Sequence, residues 1–162
     1  MFIYHLGYES AVNGGSDMGL MKCCRGQVVT ISSDTPAVDA AKIMGEKNVG
    51  SVIVVGTDGR PRGILTDRDL VIRVLAQGKN PGTVRTEEIM SRDVVTFPDS
   101  MGIYEAVQKM ADRGIRRMPI VDDAGKLTGI VTMDDIVRML GEEMAFVAKN
   151  IEKQSPLIPI PM

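Results

Sequence analysis

Apolar and polar positions along this chain of 162 residues fall into short runs that switch between the period of a strand and that of a helix. Val28-Val29-Thr30-Ile31 reads as an extended segment. Thr35-Pro36 predicts a helix start, with Thr35 as the cap and Pro36 at the first helical position. Ala37, Val38, Ala40, Ala41 and Met44 give that helix an apolar face, and Asn48 and Gly50 end it. Ser51 to Val55 reads as a buried strand, Asp58-Gly59 as a hairpin turn and Arg62 to Leu65 as the returning strand. A second helix is expected from Thr66 to about Gln77, with Gly78 as its C-cap. Lys79-Asn80-Pro81-Gly82 is linker chemistry, and Glu87 to Met90 predicts a short helical turn.

The same order then begins again. Val94-Val95-Thr96 repeats Val28-Val29-Thr30, and Gly129-Ile130-Val131-Thr132 repeats Gly63-Ile64-Leu65-Thr66. Between Val28–Val74 and Val94–Leu140 the match needs no gap, and about a quarter of the positions are identical. Each unit therefore reads β-α-β-β-α. A unit of some 50 residues closes a core poorly by itself. Two copies exposing equivalent apolar faces are expected to pack on each other with pseudo-twofold symmetry, as a mixed α/β (α+β) fold with helices covering the sheets. The expected divisions are a disordered lead-in over 1–20, a first unit over 21–78, a linker over 79–86, a second unit over 87–141, and a helical extension with a Pro-rich tail over 142–162.

Composition narrows the function classes. A net charge of −2 and 4% aromatics argue against direct nucleic-acid binding, which needs a basic surface and stacking platforms. No apolar run is long enough to span a bilayer, and the N-terminus lacks a signal-peptide pattern, so a cytoplasmic protein is expected. Asn13 to Asp17 is linker chemistry, and Met18 or Met21 offers a later start. Cys23 and Cys24 align with Ile89 and Met90, which favours small buried hydrophobes over a redox pair. Two cysteines and the distant His5 make no zinc set, and no nucleophile–base constellation is visible, so neither a metal site nor an enzyme is expected.

Candidate chemistry concentrates at two corners. Thr66-x-x-Asp69 and Thr132-x-x-Asp135 each stand where a strand runs into a helix. Free backbone N–H groups at such a point favour anions. The same pattern also satisfies a capping box, with Thr as N-cap and an acid three residues on. The two readings are compatible. Arg116 and Arg117 have the choice of solvent, a neighbouring acid or an anionic ligand, and Gly50 and Ser51 take their place in the first unit, where Arg62 or Arg68 would have to reach in instead. Asp58, Asp122 and Asp123 read as turn residues.

Taken together, Asp39-Ala40-Ala41-x-x-Met44, Gly63-Ile64-Leu65-Thr66-x-x-Asp69-Leu70, Ile89-Met90, Arg116 to Asp122 and Gly129-Ile130-Val131-Thr132-x-x-Asp135-Ile136 resemble a tandem pair of CBS (cystathionine-β-synthase-type) domains, a Bateman module of the small stand-alone bacterial type. The resemblance spans about Met21 to Leu140. It implies a non-catalytic regulatory module binding an adenosyl compound (AMP, ADP, ATP or S-adenosylmethionine) in clefts between the units, with no cofactor required. By the same resemblance Asp69 and Asp135 would hold ribose hydroxyls, Thr66 and Thr132 would lie near phosphates, and Thr30 and Thr96 would add hydroxyl or backbone contacts. Val49, Val52 and Ile53, and Ile115, Met118 and Pro119, would line adenine pockets, and Arg116 and Arg117 would meet phosphate. The second copy, with its own cations, is then expected to be the better site. The alternative is a structural dimerisation module whose clefts are degenerate.

Beyond Leu140 the helix is expected to continue. Met139, Leu140, Met144, Val147 and Ile151 fall roughly on one face with no obvious partner inside the units. Subunit contact in a homodimer is the natural use. An effector protein that reads the ligand state is a further expected partner.

Overall fold

The computed structural model describes residues 28–154. The expected lead-in, Cys23, Cys24, the alternative starts and the Pro-rich tail lie outside those residues.

The first sheet is β1 (Thr30–Ile31), β2 (Ser51–Val55) and β3 (Pro61–Thr66), in the order β1-β2-β3. The second is β4 (Phe97–Pro98), β5 (Arg117–Val121) and β6 (Leu127–Thr132), in the order β4-β5-β6. In each, a parallel pair reached through a helix joins an antiparallel hairpin. The helices of these crossovers are α1 (Ala37–Lys47) and α4 (Ile103–Arg113). From the crossover helix through the hairpin the repeat is kept residue for residue. Ser51 pairs with Thr66 as Arg117 pairs with Thr132, and both hairpins carry an irregularity at the same place, Val54/Val55 and Ile120/Val121.

Two local expectations are corrected. Pro36, not Thr35, is the N-cap of α1; its ψ of 145° is extended and α1 begins at Ala37. The Thr35 carbonyl is instead taken by the next segment, accepting from both the Thr86 backbone N–H and the Thr86 hydroxyl. The helix after β3 is also shorter than its spacing suggests. α2 (Asp67–Leu70) widens into a π-helical turn over Val71–Leu75, and Gly78 comes after it with φ 61°. Asn48 ends α1 in the left-handed region, as its sequence position suggests.

Each unit has its own core. Phe97, Met110, Met118, Ile120, Val131 and Ile136 are at the heart of the second, the last from α5 (Met133–Gln154). The first holds Val52, Val54, Leu65 and Val74, but it also takes in Val84, Ile89 and Met90 from beyond its own last helix. Those three come from the linker, from α3 (Thr86–Ile89) and from its C-cap, a stretch that crosses back over the first sheet. Backbone bonds in both directions between Ile64 and Ser91 pin the crossing, and the Arg73 guanidinium donates to the Ile89 carbonyl.

Gly63 lies under that crossing. A Cβ added there would collide with Met90 Sδ and stand 3.1 Å from the Ser91 carbonyl oxygen. The sulfur end is flexible, but the backbone oxygen belongs to the pinned bridge. Gly63→Ala should therefore cost about 1–3 kcal/mol as overpacking and lower the melting temperature by several degrees. Thermal unfolding followed by circular dichroism checks this; an unchanged midpoint would mean that Met90 and Ser91 shift freely.

Candidate functional site

The two strand-to-helix corners are built alike. Thr66 caps α2: its hydroxyl accepts from the Asp69 N–H at 3.2 Å. Asp69 Oδ2 in return accepts from the Thr66 N–H at 2.9 Å and from its hydroxyl at 2.7 Å. At the second corner Thr132 and Asp135 make the same three contacts, at 3.1, 3.2 and 2.5 Å. Capping is thus made at both corners. Each acid also faces an arginine on its own helix, Arg73 Nε at 3.4 Å from Asp69 Oδ1 and Arg138 Nη2 at 3.5 Å from Asp135 Oδ1.

The corners differ in access. The Asp69 side chain is 15% exposed, whereas that of Asp135 is fully buried. They differ again in their cations. Arg116 stays with its own unit, 3.5 Å from Asp134, and both side chains are about three-quarters exposed. A pair so exposed is weak and readily exchanged. Arg117 crosses over. A Cβ placed on Gly50 would lie 3.7 Å from Arg117 Nη2 and 3.3 Å from Asp67 Oδ2. Gly50 is itself part of the first corner, because its carbonyl accepts from the Asp67 N–H. The missing side chain at Gly50 therefore leaves room for a guanidinium supplied by the other unit. The opposite position in the second unit is Arg116, whose carbonyl likewise accepts from the Met133 N–H. Arg62 does not reach the corner; it donates to Asp58 at 2.8 Å.

Strand alternation divides the residues expected to line adenine pockets. Val52 and Met118 turn into their own unit's core beneath the helices, where they are fully packed. Ile53 and Pro119, one position on, are also buried but project from the opposite sheet face. Val49 and Ile115 are partly buried against their respective cores. Thr30 and Thr96 are half-buried, and Thr30 pairs with Ile53 across the parallel strands.

Two cavities adjoin these elements. One of about 320 Å³ lies between the hairpin tips of the two units, with Thr30, Val55 and Thr57 on one side and Lys126, Leu127 and Thr128 on the other. The units touch here directly, for the Leu127 N–H donates to the Gly59 carbonyl at 3.0 Å. The turn acids at the mouth serve the turns: Asp58 accepts from the Arg60 N–H and Asp122 from the Lys126 N–H. The Arg60 N–H, with the nearby Arg62 charge, holds the Asp58 carboxyl below its ordinary range. The other cavity, of about 520 Å³, is an open groove in the first unit lined by Met44, Asn48, Val49, Gly50, Asp67 and Leu70. It brings Val49 next to the first corner. Neither cavity is lined by Thr66, Asp69, Thr132 or Asp135. The crossing of Arg117 and the role of Gly50 carry no signal in a single sequence, since spacing within one unit says nothing of which side chain enters from the other. Among the described residues no group of three or more His, Cys, Asp or Glu could hold a metal ion, and no helix is long and apolar enough to cross a membrane.

The family model of the CBS domain matches residues 20–76 and 87–142. The protein MK0525 of Methanopyrus kandleri is 47% identical over 129 residues, covering 80% of this chain, which spans 66% of that relative's length. The CBS domain-containing protein YhcV of Bacillus subtilis is 38% identical over 131 residues, covering 80% of this chain and 91% of its own. Among solved structures, the CBS domain pair of protein MJ0100, in complex with 5-methylthioadenosine and S-adenosyl-L-methionine, matches with a TM-score of 0.68 at 31% identity, over 75% of this chain and 98% of that one. With two matched domains, two units of the same β-α-β-β-α order and CBS-domain relatives, this chain belongs to the CBS domain family as a tandem pair.

Proposed function

We propose that this chain is a regulatory module, without catalysis of its own, that binds an adenosyl compound in the clefts of its two units, 21–78 and 87–141. The observation that carries the reading is the duplicated Thr-x-x-Asp corner in a chain 31% identical to a CBS pair solved with two adenosyl ligands. An ionised carboxylate has about four lone-pair positions, and the cap uses only part of that capacity. Vicinal ribose hydroxyls are suited to the remainder, through charge-assisted hydrogen bonds.

Geometry favours the first corner over the second, the reverse of the expectation from cations alone. Asp69 is the accessible acid, and Arg117 brings the missing positive charge to Gly50 and Asp67. Asp135 would have to be uncovered before it met a ribose. Ligand would then bias how the two units sit against one another, and an effector protein in the cytoplasm would read the difference, with the module acting as a homodimer. AMP, ADP, ATP and S-adenosylmethionine are the candidates. The burial of Asp135 and the complete caps favour one competing reading, a dimerisation scaffold whose clefts no longer bind.

Titration calorimetry of the full chain with the four compounds decides between them. Binding of at least one in the micromolar range supports the sensor; no heat and no shift in melting temperature with any of them leaves the scaffold. Asp69→Asn should weaken the bound compound at least tenfold while lowering stability by no more than the modest loss of a cap, about 1 kcal/mol. Equal affinity in that variant would remove Asp69 from the site. Arg117→Ala should reduce affinity for AMP, ADP and ATP and leave S-adenosylmethionine unaffected, because only the nucleotides bring phosphate to the guanidinium. A parallel loss for all ligands would indicate that Arg117 acts by holding the units together.

A further inference from the structure

The family match ends at residue 142, but α5 runs on to Gln154. All residues from Gly141 to Gln154 are exposed, so these last turns have no covering neighbour among the described residues. A helix of this length standing free in water is marginal without a partner for its apolar face. That face has a definite period. Met133, Val137, Leu140, Met144, Val147 and Ile151 succeed one another at alternating spacings of four and three. This is the a/d pattern of a coiled-coil seam, not the broader stripe of a helix lying on a sheet. Met133 packs against the second core, while the other five are between 51% and 67% exposed.

We propose that the α5 extension pairs with the same helix of a second copy, antiparallel, about a twofold axis crossing the helix between Ala145 and Phe146. Resting on the homodimer reading above, this identifies a surface and orientation for it. In that register Leu140 faces the partner's Ile151, Met144 the partner's Val147, and the same pairs recur across the axis, as an isologous contact requires. Every central layer is apolar against apolar. On one flank Gly141 meets the partner's Ala148, two small residues that let the helices approach closely. Just outside them Arg138 comes level with the partner's Glu152, a complementary pair formed twice. On the other flank Glu143 meets the partner's Asn150, an acceptor facing an amide donor. No like charges are opposed. The parallel alternative would bring the acidic first turns of both helices, with Asp134 and Asp135, to the same end with their dipoles aligned. Within its own chain the Arg138 side chain is 61% exposed and stands 3.6 Å from the exposed Glu142 and 3.5 Å from the buried Asp135 carboxylate, long contacts from which the guanidinium can lean outward.

Cysteine cross-linking of the full chain, with Cys23 and Cys24 changed to Ser, tests the register. Leu140→Cys and Ile151→Cys are made singly and together. Within one helix these positions are about 16 Å apart, so no disulfide closes inside a chain. Under mild oxidation the double variant should become a covalent dimer and neither single variant should. Single variants that cross-link as readily as the double would overturn the antiparallel register in favour of a parallel one. A double variant that stays uncross-linked, while sedimentation velocity shows a dimer, would place the contact elsewhere and leave the homodimer standing. A monomeric parent chain at micromolar concentration would remove both. As an independent check, Met144→Glu with Val147→Glu should weaken dimerisation by about a hundredfold or more with the melting transition of the two cores retained; unchanged dimerisation would count against the seam.

Discussion

The structure turns on a short loop of hydrogen bonds, made twice, between a threonine at the end of a strand and an aspartate three residues later. Each loop satisfies backbone donors that a helix start leaves open. Each also fixes the angle at which the helix beyond it folds back onto its sheet. Leu65 and Ile136 are buried because those angles hold, and Thr66 and Thr132 are in turn paired to Ser51 and Arg117 at the starts of the middle strands. The side chains that organise the fold are thus the ones suited to a ribose. Under the proposed reading, stability and recognition would draw on one carboxylate, which would limit how far either could be altered without the other.

Much of this was legible from residues alone. The offset between the repeats survives in the bounds of both hairpins, in their registers and even in the position of each irregularity, because an ungapped repeat preserves both side-chain period and turn geometry. The strands, the left-handed Asn48 and the long last helix arise from local chemistry that nothing overrides. Other features were not legible, for physical reasons. Thr35 has the right side chain for a cap, but its carbonyl is taken by Thr86, fifty-one residues on, and the helix starts after Pro36. Val52 and Ile53 are both apolar, and only the finished sheet decides that one faces helices and its neighbour the opposite face. Arg117 belongs to one repeat in sequence and lies against the other in space.

The two copies are not equal in packing. Val74 and Leu140 are equivalent, yet Val74 is 1% exposed and Leu140 is 51% exposed. The cause is the path of the chain beyond each helix. After the first, the chain turns at Gly78 and brings Val84, Ile89 and Met90 over Val74. After the second, the helix continues outward as an extension with no covering among the described residues. A faithful repeat in backbone geometry is therefore compatible with opposite fates for the same apolar position: one built into a core, the other carried on the outside.

The crossing of Ile89 and Met90 over Gly63 also bears on synthesis. The first core stays open until the chain has grown past Ser91, since its lid and the bridge to Ile64 are encoded after its own last helix. On a ribosome the first repeat can close only when the start of the second has already left the tunnel. A single repeat cut out at its apparent boundary would lack its cover, so the smallest heritable folding unit is longer than the sequence repeat.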